Sequence, residues 1–235
     1  MATEFGDVSV AGPQQPQVPI TGLPPQVLQQ IANQASQQAA IQSAKTHYVS
    51  FSAEVVPHTI ESLLALCADL VNKHQPDEIY LALNTPGGQV ACGIGAYNML
   101  RALPVKIITH NVGAVDSIGN VIFLAGDQRY CCSNAGFMFH GVGFDINGQN
   151  LRLERKLLGE RLDALQADER KIASIISDRT EMTDDQVEES FLNQVTRDPD
   201  FAKSNGIVHE VRDLDIPKGA PIYQLVFQRQ GVVVR

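Results

Sequence analysis

Two runs constrain this chain more than any others, EIYLALN at 78–84 and VKIITHN at 105–111. Each is apolar almost throughout, without the alternation of a half-exposed strand, and a helical pattern follows each. Strands of that kind are buried on both faces. Strand, helix, strand, helix in succession predicts an α/β domain on a parallel sheet covered by helices. With 235 residues, 44% of them hydrophobic, the chain can fill one such core. Earlier segments fit the same plan. HYVSFS at 47–52 reads as a strand. Pro57 opens a helix over 57–74 with Ile60, Leu63, Leu64, Cys67 and Leu70 on one face, and Pro76 and Asp77 end it. A helix over 89–102 carries Cys92, Ile94, Tyr97, Met99 and Leu100.

The candidate chemistry lies in residues 110–140, HNVGAVDSIGNVIFLAGDQRYCCSNAGFMFH. Ser117 sits in a glycine-flanked turn, a helix is expected from about 117 to 126, and a second apolar run closes at His140. A hydroxyl at a strand-to-helix turn gains free backbone N–H groups and the positive end of the helix dipole. A histidine at a strand end could reach it as a base. Upstream, Asn84-Thr85-Pro86-Gly87-Gly88 ends a buried strand, where ligands sit in α/β sheets. Two glycines there leave N–H groups open, and such groups can hold a developing oxyanion.

The ends read differently. Residues 1–45 carry Pro13, Pro16, Pro19, Pro24 and Pro25 and then a glutamine-rich run, predicting an extended or disordered arm followed by a helix with Val27, Ile31 and Ala35 on one stripe. Residues 151–178 predict one long helix of about 42 Å, part of which projects and packs on another subunit; the alternative is two shorter helices broken near Gly159. Thr183 begins a helix with a capping-box pattern. Pro199 begins a short one that ends at Gly206. IVHEV at 207–211 reads as an edge strand, and residues 213–235 as a β-rich tail that adds a strand or an oligomer contact.

A net charge of −8 without a Lys/Arg cluster speaks against nucleic acid or anionic membrane as partners. No apolar run reaches the roughly 18–20 residues of a membrane span. The opening MATEFGDVSV lacks a signal-peptide layout, so a cytoplasmic protein is expected. Cys67, Cys92, Cys131 and Cys132 show no metal-binding spacing and read as buried free thiols; no metal and no cofactor is expected.

NTPGGQVACGIGAYNML, then GAVDSIGNVIFLAGDQRY, then AGFMFHG, in that order and spacing, resemble the proteolytic subunit of the Clp protease, the ClpP family. HYVSFSAEV and the 57–74 helix fit its opening, and DRTEMTDDQVEE and FAKSNGIVHEV its closing segments, so the resemblance covers about residues 46–212. It implies a ClpP/crotonase-type fold of repeated ββα units, in which the long helix is a handle that stacks two rings of subunits. It implies a serine endopeptidase acting on unfolded polypeptides inside a chamber, with self-assembly into stacked heptameric rings, a tetradecamer, and an AAA+ unfoldase as partner. Ser117 matches the nucleophile and His140 the general base. The N–H groups of Gly88 and Ile118 match the oxyanion hole. Gly87, Gln89 and Val90, and Gly141, Val142 and the residues up to Phe144, match the backbone that pairs with substrate.

Three departures stand out. The family's third triad residue is an aspartate, and the position reached by ungapped counting holds Gln194, beside Asn193; Asp198 resembles the family's wording but lies four residues on. An amide stabilises an imidazolium less well than a carboxylate, and in a serine triad that exchange can cost about 10⁴ in rate. Asp116 precedes the serine where the family has a small residue, which would repel an oxyanion or point away. Gly141 follows the histidine where a polar residue and then proline are usual. The alternative to an active peptidase is therefore a weak or inactive ClpP-like paralogue, a structural and regulatory subunit that shares rings with a second ClpP-type subunit. A crotonase-type acyl-CoA enzyme is a third reading, but it would need an acidic base. The proline-rich arm replaces the family's pore hairpin and is expected to shape or block the pore, or to dock a partner.

Overall fold

The computed structural model describes residues 24–143 and 154–227. The chain divides into two units, one up to Ala40 and one from Ile41 on. The first holds most of helix α1 (Pro25–Ser43), which begins at the proline pair and leaves Leu28 and Ile31 exposed.

The second unit is the α/β body. Its early elements follow the expected boundaries: β1 (Thr46–Ser52), α2 (Pro57–His74), β2 (Glu78–Thr85) and α3 (Val90–Ala102). Thr59 fixes the start of α2, since its hydroxyl accepts from Val56 N–H at 3.1 Å and donates to Glu54 O at 2.6 Å. Gln75 turns left-handed at φ 47° and ends it. β3 (Lys106–Asp116) runs five residues past the expected end. The next helix, α4 (Gly119–Phe123), is shorter than the expected 117–126. Thr109 Oγ1–H donates to the Phe123 carbonyl at 2.8 Å, and the chain passes so close to that hydroxyl at Gly126 that a side chain there would strike it. Two strands follow, β4 (Gln128–Cys131) and β5 (Gly136–Met138). Helix α5 (Arg155–Arg179) runs unbroken through Gly159. Then come α6 (Asp184–Asn193), β6 (Thr196–Arg197), α7 (Pro199–Ser204), β7 (Glu210–Val211) and β8 (Ile222–Gln224). The Thr183–Gln186 capping box forms as its spacing predicts, with N–H···O distances of 3.3 and 2.8 Å.

The sheet runs β6-β5-β3-β2-β1-β8, parallel except for the β5–β6 pair. The length of β3 matters, because its first half pairs with β4 and its second half with β5. β4 carries the sheet on to β7. Phe51, Leu63, Leu81, Leu83, Ile107, Ile122, Phe123 and Phe137 are fully buried and form the core between sheet and helices. Cys67 and Cys131 are buried free thiols; Cys92 and Cys132 are only half-buried, short of the expected burial. The expected hairpin signal at Asn147-Gly148, the start of the 151–178 helix and the end of the tail fall outside the described residues. No helix among the described residues is long and apolar enough to cross a membrane.

Candidate active site

Parallel pairing brings two strand ends together. The β3–β5 register sets Asp116 opposite Met138, so Ser117 and His140 emerge one and two residues further along neighbouring strands. The β2–β3 register sets Thr85 opposite Val115 and delivers the double glycine to the same end of the sheet.

Ser117 holds φ at +57°, a left-handed conformation that costs a residue with a side chain about 1–3 kcal/mol. Its surroundings hold it there. Ser117 N–H donates to Met138 O at 2.8 Å. The amide of buried Asn120 donates to Ser117 O at 3.1 Å and to Met138 O at 2.9 Å, joining the serine turn to β5. Sequence reasoning missed Asn120. Its only signal was a polar residue at the head of an apolar helical run.

Gly87 and Gly88 sit at φ +86° and +149°. A Cβ on Gly87 would lie 2.6 Å from Ser117 Cβ, and one on Gly88 would strike Val55 O. Glycine is therefore required at both positions by backbone conformation and by space. Val55 N–H donates to Gly87 O and Gln89 N–H to Val55 O, which leaves Gly88 N–H on the other side of the strand. Neither Gly88 N–H nor Ile118 N–H makes a hydrogen bond among the described residues.

These pieces meet in one pocket of about 240 Å³. Gly88, Val90, Ser117, Ile118, His140, Gly141 and Val142 all line it. Its apolar wall comes from Phe139, Ile172, Ile176 and Phe191. Gln89 lines the groove next to it. Phe144 lies outside the described residues.

His140 Nδ1 lies 2.7 Å from Gly141 O. A carbonyl oxygen can only accept, so this contact places the ring proton on Nδ1 and leaves Nε2 as the basic nitrogen. No hydrogen bond joins Ser117 Oγ to the ring. The candidates for the orienting residue sit elsewhere, and none lines the pocket. Gln194 is the left-handed C-cap of α6 at φ 50° and is exposed. Asn193 is exposed at the end of α6. Asp198 caps α7, its carboxylate accepting from Phe201 N–H at 2.8 Å. The backbone of this region does reach the histidine strand, with Gly141 N–H donating to Phe191 O at 3.0 Å. Asp116 is half-buried beside the site. Burial pushes its carboxyl above the ordinary value, while the Met138 backbone and the His140 ring act in the opposite sense.

A strained hydroxyl, a nearby imidazole with its basic nitrogen free, and two open N–H groups together are what acyl transfer through a serine requires. Comparison with known proteins finds relatives over most of the chain. A family model described as Clp protease matches residues 28–215. An ATP-dependent Clp protease proteolytic subunit 1 of Leifsonia xyli is 26% identical over 147 residues, 61% of this chain and 71% of that protein. An ATP-dependent Clp protease proteolytic subunit of Deinococcus radiodurans is 28% identical over 160 residues, 65% of this chain and 73% of that protein. Among solved structures, a ClpP1 point mutant from Listeria monocytogenes aligns with a TM-score of 0.61 at 20% identity, over 79% of this chain and 98% of that one. The structural likeness bears on the fold.

Proposed function

This chain belongs to the Clp protease family, and from that premise we propose that it is a serine endopeptidase that cleaves unfolded polypeptides within a ring assembly. The observation that carries the reading is the convergence of Ser117, His140, Gly88 and Ile118 on one pocket. In the proposed cycle Ser117 Oγ attacks the scissile carbonyl. His140 Nε2 takes the hydroxyl proton and gives it to the leaving amine, then takes a proton from the water that attacks the acyl-serine ester and returns it to Ser117 Oγ as the acid product leaves. Gly88 and Ile118 N–H groups hold the oxyanion, while residues 87–90 and 141–143 pair with the substrate backbone. The Gly141 carbonyl serves as the acceptor that keeps His140 in its basic tautomer, the role first sought at Gln194.

The names of the relatives suggest an ATP-driven partner, so an AAA+ unfoldase is proposed to feed the chamber. The 1–45 arm is proposed to control access to the pore or to dock that partner.

Two observations favour a second reading. A carbonyl supplies only a partial negative charge to an imidazolium, and Ser117 is not hydrogen-bonded to His140. A weak or inactive subunit that needs a second ClpP-type subunit to align its site fits that geometry. Fluorogenic peptide turnover separates the two. Turnover by the purified chain that is lost in Ser117→Ala upholds the peptidase. Absent turnover, alone and with added second subunit, overturns it.

A further inference from the structure

The segment after His140 has little stiffness of its own. Gly141 and Gly143 flank Val142, and the glycines permit wide backbone freedom. Among the described residues three hydrogen bonds hold it. His140 Nδ1–H donates to Gly141 O, which is internal to the segment. Gly141 N–H donates to Phe191 O, backbone to backbone. Val142 N–H donates to Glu169 Oε1 at 3.1 Å, and this is the one bond of the three that a side chain from another element supplies. Glu169 stands on α5, one turn before Ile172, which lines the pocket. The carboxylate lies close against the segment, since a Cβ on Gly141 would come within 2.8 Å of Glu169 Oε1. Gly143 N–H, next in the chain, makes no hydrogen bond among the described residues, and Gly143 lines the pocket.

We propose that Glu169 is a positioning residue: by holding Val142 N–H it fixes the 140–143 segment so that the Gly143 amide stays open to a substrate carbonyl beside Ser117. The inference rests on the peptidase reading above. A carboxylate acceptor makes a stronger bond than a neutral one, and among the described residues no other side chain from outside the segment bonds it. The bond also ties the substrate segment to α5, so displacement of α5 at Glu169 would reach the site directly.

The test uses the full chain. Glu169→Ala is expected to raise the KM for a fluorogenic peptide about ten- to hundredfold, the loss of a hydrogen bond to a charged group, with kcat changed less than about threefold. Glu169→Gln keeps an acceptor oxygen and is expected to restore KM to within about threefold. Amide exchange at Val142 is expected to quicken at least about tenfold in Glu169→Ala, with the amides of α2 and β2 unchanged. Unaltered KM and unaltered Val142 exchange would overturn the proposal. So would exchange that quickens across the whole domain, or failure of Gln to rescue. Failure of the peptidase reading shows separately, as absent turnover by the wild-type chain both alone and with an added second ClpP-type subunit. Peptide affinity for the Ser117→Ala chain, with and without Glu169→Ala, then decides the role of Glu169 on the same terms.

Discussion

A methyl group at Gly87 would push on the serine itself. It would also lie 2.7 Å from Asp116 O, in a backbone conformation at φ +86° that alanine resists. A displacement of about 1 Å at a reacting group costs about 100-fold in rate. Gly87→Ala is therefore expected to lower kcat/KM by about that factor while the domain stays folded, checked by peptide kinetics beside circular dichroism; wild-type kinetics would contradict the packing. At this scale Ser117, His140 and the double glycine are legible from sequence, because strand ends and turns carry local marks in residue type. The acceptor for His140 is not legible, since it is a main-chain carbonyl and any residue would supply one. Asn120 and Glu169 escape for another reason. Their partners lie up to 27 residues away, and only the folded chain brings them together.

Among the elements, β8 shows how the tail is held. It pairs with β1 in parallel, with Val49 opposite Tyr223. Buried His47 lies 3.2 Å from the Tyr223 hydroxyl, and its ring stacks on that of Tyr223 and sits 4.9 Å from His74. Burial first, and then His74, hold the His47 pKa below its ordinary 6.5, against the Ala44 and Ile41 carbonyls. The unfolded state then binds a proton more readily than the folded one. This contribution to stability is complete above about pH 6.5 and is lost as pH falls through the folded value. The clasp should loosen in acid. His47→Gln is expected to flatten the fall in melting temperature below pH 6.5, followed by calorimetry across pH; an unchanged slope would contradict it. Most elements are legible from periodicity. β4 and the true length of α4 are not, because a four-residue strand leaves too short a pattern and α4 ends where a neighbouring side chain, Thr109, takes its last carbonyl.

For the whole molecule, the apolar residues left in water suggest how copies meet. Leu158 and Leu162 lie one turn apart on α5 and are 47% and 54% exposed, whereas Ile172 and Ile176 further along are buried. A leucine pair in such a place fits the ring-stacking handle contact that the family resemblance implies. Leu158→Glu with Leu162→Glu is expected to lower the sedimenting mass at unchanged helicity; an unaltered particle would place the contact elsewhere. The α/β class and the single long helix are legible from hydrophobic period alone, but the number of subunits leaves no such trace in one chain. The account as a whole stands on a nucleophile at the end of β3 activated from the end of β5. Reaction of the assembled particle with a fluorophosphonate, mapped by mass spectrometry, tests this most directly. The expected result is a single adduct on Ser117 that His140→Ala abolishes. No adduct in the wild-type particle, or one indifferent to the loss of His140, would contradict it.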